Sequence, residues 1–242
     1  MPEYKTAIVT GAGKRVGASI AAALLERGWT VLAHVRRDQD QVAGGAAKVA
    51  ADLASPDCAE AIFAAAAGLP PVRLLVNNAA RFAWDGFGEF RAGEFDAHMQ
   101  INARAPILLM EAMAEHHPGG DALIVNLLDS KLVAPNPDFL SYTISKQALL
   151  GATELAARAL ASKGIRVNAI APALMLKSPG QSEENFQAMR RRNPLGREVT
   201  PGDVVAAIDY LLAARTVTGE VLTIDGGQRF SPPLRDVQFL EP

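Results

Sequence analysis

Short apolar runs alternate with longer stretches of helical spacing along this chain. Candidate strands are TAIVT (6–10), TVLAH (30–34), AKVA (47–50), RLLVN (73–77), ALIVNLL (122–128), RVNAIA (166–171) and EVLTI (220–224). Between them lie alanine- and leucine-rich stretches with apolar spacing of three and four. One is SIAAALLERG (19–28), which closes on the glycine expected just past a helix C-terminus. Strands apolar on both faces and joined by helices predict an α/β fold, a single doubly wound parallel sheet of seven strands with helices on both sides and right-handed crossovers. No internal repeat or low-complexity tract interrupts the pattern. Residues 173–200, with SPG and RRRNPLG, form a longer irregular stretch, and SPPLRDVQFLEP lies beyond the last strand. The expected organisation is one unit over 1–230, with a loop at about 173–200 facing a substrate, and a C-terminal tail over 231–242.

Composition narrows the setting. An apolar content of 49% in 242 residues is ample for the core of one layered domain. A formal charge of -2 leaves no electrostatic footprint for nucleic acid or anionic lipid, so neither is an expected partner. The single cysteine, Cys58, allows no intrachain disulfide and suits a reducing compartment. MPEYKTAIVTG runs directly into a strand without the pattern of a secretory leader, and no apolar run approaches the roughly 18 residues that span a bilayer. A soluble, cytoplasmic protein is expected. No cluster has metal-ligand spacing, so no metal is expected. His116 and His117 read as helix-end residues before PGG, and the arginines at 190–192 read as a solvated face or a screen for an acidic ligand.

The first strand runs into TGAGKRVG, where Gly11, Gly13 and Gly17 permit a tight turn into a helix N-terminus. Such a turn lets the backbone approach a pyrophosphate; the bland alternative is a strand–helix turn that uses glycine for geometry alone. After the second strand, HVRRD places Arg36 and Arg37 where an NAD site usually carries an acid. With Lys14 and Arg15 in the glycine turn, these cations favour the 2′-phosphate of NADP(H), while Asp38 and Asp40 keep NAD open. Asp52 after the third strand is placed either for an adenine amino group or as a helix cap.

Further along stand Asn77, Asn78 and Ala79 after the fourth strand, an isolated Asn102, and Asp129 at the end of the fifth strand. Tyr142 and Lys146 follow, four apart and so on one helix face. A Y-x-x-x-K pair alone is usually an exposed helical pair; the whole order raises it. A tyrosine has an ordinary pKa of about 10, and a nearby lysine together with an oxidised nicotinamide is expected to lower it by charge.

This order resembles the short-chain dehydrogenase/reductase family from Thr6 to about Gly227, and the resemblance implies the Rossmann form of the doubly wound sheet. It also implies that Tyr142 donates the proton, that Lys146 binds the nicotinamide ribose and tunes the tyrosine, and that Asn102 holds a water in a proton relay. Asn77 to Ala79 would line the cofactor. Pro172-Ala173 stands where the family has proline-glycine, with a slight displacement expected there. Two departures stand out: Asp129 occupies the place of the usual serine thirteen residues before the tyrosine, and Arg15 replaces the second glycine of T-G-x-x-x-G-x-G. Both are similar to the pteridine reductase and dihydromonapterin reductase branch, in which Phe82 would stack a pterin against the nicotinamide. Phe82 also reads as a core phenylalanine.

An ionised aspartate only accepts hydrogen bonds, so Asp129 suits the N–H groups of an aminopyrimidine, with Arg15 at the opposite ring edge or on a cofactor phosphate. In the competing reading Ser130 supplies the usual hydroxyl and Asp129 satisfies a local turn. The resulting expectation is an NADPH-dependent enzyme reducing a dihydropterin-type C=N bond. The alternatives are a carbonyl or alcohol oxidoreductase, of the small-ketone or 3-oxoacyl type, and a dinucleotide-sensing regulator. The alanine-rich helix at 147–161 has more small apolar surface than one buried face needs, and by the resemblance it would build a homodimer or homotetramer.

Overall fold

Seven strands form in the computed structural model, which describes residues 5–241; residues 1–4 and 242, at the outer ends of the two expected ranges, lie outside the described residues. The strands are β1 (Thr6–Val9), β2 (Thr30–Val35), β3 (Ala47–Ala50), β4 (Val72–Asn77), β5 (Ala122–Leu127), β6 (Ile165–Pro172) and β7 (Val221–Ile224). No end departs from the sequence reading by more than one residue. Every neighbouring pair is parallel, in the order β3-β2-β1-β4-β5-β6-β7. The order reverses between β1 and β4, which opens a crevice at the C-terminal ends of the strands.

The unbroken apolar strands reflect burial on both faces. Side chains alternate along a strand, so Ile8, Leu75 and Ile124 turn to one side while Ala7, Val9, Leu74, Val76, Leu123 and Val125 turn to the other. The first set packs against α2 (Cys58–Ala66), α4 (Ala105–His116) and α5 (Leu140–Leu160), through Ile62, Leu109, Met113 and Leu160. The second packs against α1 (Arg15–Glu26) and α7 (Pro201–Ala213), through Ile20, Leu24, Val204, Ile208 and Leu211. Each fully buried side chain of this kind contributes about 1.5–3 kcal/mol of transfer free energy. The helix expected over 19–28 begins earlier, at Arg15, directly on the glycine turn. Among the described residues no helix is long and apolar enough to cross a membrane.

α3 (Ala92–Met99) continues through a π-helical turn, Gln100–Arg104, into α4. The segment after β6 carries α6 (Glu183–Met189), after which Arg190 and Arg191 both pair with Glu198. Beyond β7 the tail turns back over the strand ends, closing one side of the crevice.

Candidate active site

The glycine turn is tied to the end of β4. The Thr10 hydroxyl accepts from the main-chain N–H groups of Asn78 and Ala79, each at 3.0 Å, and Asn78 Nδ2 donates to Thr10 O at 2.7 Å. A Cβ on Gly17 would stand 2.2 Å from Gly11 O, so only glycine fits there. Arg15 takes the left-handed conformation, φ +53°, where the usual glycine would sit without strain. Its guanidinium donates to Lys177 O at 3.1 Å and Leu176 O at 3.4 Å, anchoring the loop after β6.

His34 was not anticipated as a structural hub. Gly11 N–H donates to its Nδ1 at 3.2 Å, so Nδ1 is the acceptor and the ring proton sits on Nε2, which lies 3.0 Å from Ala51 O. Burial pushes its pKa down and favours this neutral form. A lone histidine in the apolar run TVLAH was the available signal.

A cleft of about 1030 Å³ runs across the strand ends, room for a dinucleotide and a small ring together. It gathers every residue expected at the site except Asn77 and Asn102. Asn77 turns into the core, donating to Asn126 Oδ1 at 2.8 Å, because the alternation along β4 leaves the lining to Asn78 and Ala79. Asn102 lies buried in the π turn: its Nδ2 donates to Arg81 O and Ser145 Oγ, both at 2.9 Å, and its Oδ1 accepts from Arg81 N at 2.7 Å. With both amide protons committed, its side chain braces α5 against the Arg81 loop.

At the other end, Arg36 is exposed and pairs loosely with Asp52 at 3.6 Å. Arg37 is engaged by Asp40, whose carboxyl is held below the usual carboxylate range by that hydrogen bond. Arg37 is therefore less available to a phosphate than the sequence implied. Asp52 accepts from Ala54 N at 3.0 Å, capping a turn, while the N-cap of α2 is Asp57. The glycine turn, the start of α1 with no side-chain cap, and the cations Lys14 and Arg36 fit a phosphorylated dinucleotide.

The middle of the cleft holds Tyr142 and Lys146, one turn apart on α5. The helix starts after Phe139, forced to φ +56°. The fully buried Asp85 holds that start, accepting from Ser141 N at 2.9 Å and from the Ser141 hydroxyl. The Tyr142 hydroxyl donates to Asp129 Oδ2 at 2.9 Å, and Asp129 Oδ1 accepts from Lys131 N at 2.8 Å. Asp129 thus makes both the turn contact and the tyrosine contact, and Ser130 begins the following 3-10 turn. Lys146 Nζ donates to Leu127 O at 2.6 Å and lies 5.9 Å from the Tyr142 ring centre.

The lowering expected of the Tyr142 pKa belongs to a site with the oxidised nicotinamide bound; the protein's own groups act in the opposite direction. Burial, then the charge of Asp129 and its hydrogen bond, push the phenol well above its ordinary value. Burial also raises the Asp129 carboxyl, and it brings Lys146 down to about 8. Phe82 stacks on Phe139 at 4.3 Å and meets Tyr142 edge-on at 4.8 Å, forming one wall of the cleft. Pro172 ends β6 at the cleft, where Ala173 N donates to Ile224 O at 2.9 Å.

Residues 11–229 match the family described as Enoyl-(Acyl carrier protein) reductase. Among solved structures, the FolM alternative dihydrofolate reductase 1 of Brucella suis, in complex with NADP, superposes with a TM-score of 0.90 at 35% identity, covering 98% of this chain and 99% of that one. Dihydromonapterin reductase of Klebsiella pneumoniae is 31% identical over 94% of this chain and 96% of its own. The 3beta-hydroxysteroid dehydrogenase 1 of Eggerthella lenta is 32% identical over 94% and 95%. With the Tyr-x-x-x-Lys pair, the glycine turn and the seven-stranded sheet in place, this chain belongs to the short-chain dehydrogenase/reductase family.

Proposed function

We propose that this chain is an NADPH-dependent reductase of a dihydropterin-type C=N bond. The observation that carries the reading is the Asp129 carboxylate hydrogen-bonded to Tyr142 at 2.9 Å. Bound in the cleft, NADPH would supply the hydride for the ring carbon. Tyr142 gives its hydroxyl proton to the ring nitrogen, and Lys146 stabilises the phenolate left behind. Asp129, whose burial raises its proton affinity, then takes a proton from solvent and passes it to the phenolate along the existing hydrogen bond, so that it ends the cycle ionised as it began. Each Asp129 oxygen keeps a lone pair for the N–H groups of an aminopyrimidine. Phe82 offers its free face to the ring, Arg15 steadies the loop over 173–200 that closes on the substrate, and Pro172, Asn78 and Ala79 line the nicotinamide end.

The dihydromonapterin reductase and alternative dihydrofolate reductase relatives support this substrate class, and the steroid dehydrogenase relative supports the carbonyl alternative. Asp129 decides between them: a carboxylate beside the proton donor repels the alkoxide that a ketone would develop. NADPH oxidation with a dihydropterin and with a simple ketone tests it. Faster turnover of the ketone would reverse the assignment.

Arg36 and Lys14 should make NADPH bind at least tenfold tighter than NADH, on the scale of one charge-assisted phosphate contact, roughly 1.5–3 kcal/mol. Arg36→Asp should erase most of that difference. Equal dissociation constants in the unmodified protein would exclude a 2′-phosphate site.

The reading also includes a cytoplasmic homodimer or homotetramer. Leu155 and Ile144 stand three turns apart on the outer face of α5, 70% and 36% exposed, and Ile107 on α4 is 40% exposed. Leu155→Glu should shift sedimentation toward a smaller species, and an unchanged coefficient would reject that face.

A further inference from the structure

The tail after β7 carries polar groups into the substrate end of the cleft. Arg235 Nε and Nη2 make a forked pair with Asp138, at 2.7 and 2.8 Å, and Asp236 N–H donates to the same carboxylate at 2.8 Å. Asp138 is buried and immediately precedes Phe139, the residue that launches α5. Further anchors follow: Asn185 Nδ2 donates to Leu240 O at 2.6 Å, and the Phe239 ring faces Phe139 at 6.1 Å. The tail is thereby fixed to the same loop that positions Tyr142 and backs the Phe82 wall.

Pinned this way, Asp236 lines the same cleft as Asp129 and Tyr142. One of its oxygens accepts from Gln238 N at 3.1 Å and the other lies 3.4 Å from Lys131 Nζ. Each oxygen keeps acceptor capacity. The cations lining this end are already engaged: Lys131 with Asp236, Arg229 with Asp225 at 2.7 Å, and Arg15 with the carbonyls of Leu176 and Lys177. A neutral hydroxyl donor would find a carboxylate acceptor there.

We propose that the tail completes the substrate end of the cleft and that Asp236 is a specificity residue, accepting hydrogen bonds from hydroxyl groups on the side chain of the ring being reduced. The inference rests on the dihydropterin reading. It assigns Asp236 to the substituent, whereas Asp129 takes the ring.

The test compares kcat and KM of the full chain, Asp236→Ala and Asp236→Asn on two dihydropterins, one with a polyhydroxylated side chain and one with a methyl group there. NADPH affinity serves as the folding control. Asp236→Ala should lose about tenfold in kcat/KM on the hydroxylated substrate, mainly through KM, with less than about twofold on the methyl substrate. Asp236→Asn, which keeps one acceptor oxygen, should fall between. If Asp236→Ala fails to bind NADPH, the Asp236→Asn comparison decides alone. Equal losses on both substrates, or no loss, would overturn the inference while leaving the dihydropterin reading intact. An unmodified chain that turns over neither substrate overturns that reading and the inference with it.

Discussion

Tyr142→Phe is expected to lower kcat about a thousandfold, near 4 kcal/mol of barrier, while NADPH affinity stays within about twofold. The ring packs edge-on against Phe82, and phenylalanine keeps that contact. What disappears is the hydroxyl that donates to Asp129 and would hand a proton to the substrate. The loss should fall on kcat rather than KM, because the missing interaction matters most in the transition state. The pH profile adds a second readout. Lys146 is charged below about 8 and neutral above it, so reductive turnover should fall as pH rises through about 8, as support for the forming phenolate is lost. Stopped-flow NADPH oxidation with a dihydropterin measures both. A Tyr142→Phe protein with near-normal turnover and bound cofactor would place the proton donor elsewhere.

How far the sequence carried the structure depends on the range of the interactions involved. The strands were legible to within a residue because burial on both faces writes itself as continuous apolar runs, which no tertiary contact needs to explain. The glycine turn and the Tyr142–Lys146 pair were legible because each is a local spacing on one element. Charges facing one another across the cleft were not. Arg15 spends its guanidinium on carbonyls 161 and 162 positions along the chain, and Asp236 reaches Lys131 across 105 positions. Such pairings carry no periodicity. The same holds for Asp85, which fixes the start of α5 from a loop 56 residues earlier and reads in the sequence as an ordinary turn acid. Asn77 shows the opposite error. Its neighbours line the cleft and it does not, because adjacent residues at a strand end face opposite sides of the sheet.

Asp129 carries the substrate assignment, so its variants should separate the two chemistries. Asp129→Asn keeps the shape and the cofactor site but replaces one acceptor oxygen with an N–H donor facing the Tyr142 hydroxyl and the ring. The kcat/KM for a dihydropterin should drop about thirtyfold or more, the scale of a lost hydrogen bond to a charged group. Asp129→Ser should lose dihydropterin reduction as well and gain activity on a small ketone. A hydroxyl donates to a developing alkoxide, and removing the carboxylate lets the Tyr142 pKa fall, since that charge and its hydrogen bond both raise it. Ser130→Ala should change either activity less than about twofold, because the contact to Tyr142 belongs to Asp129. The three variants assayed on both substrates give a pattern that burial effects alone cannot imitate, since a general loss of packing would lower both activities together. If only Ser130→Ala is crippled, Asp129 serves its turn with Lys131 N, and the dihydropterin reading loses the observation on which it stands.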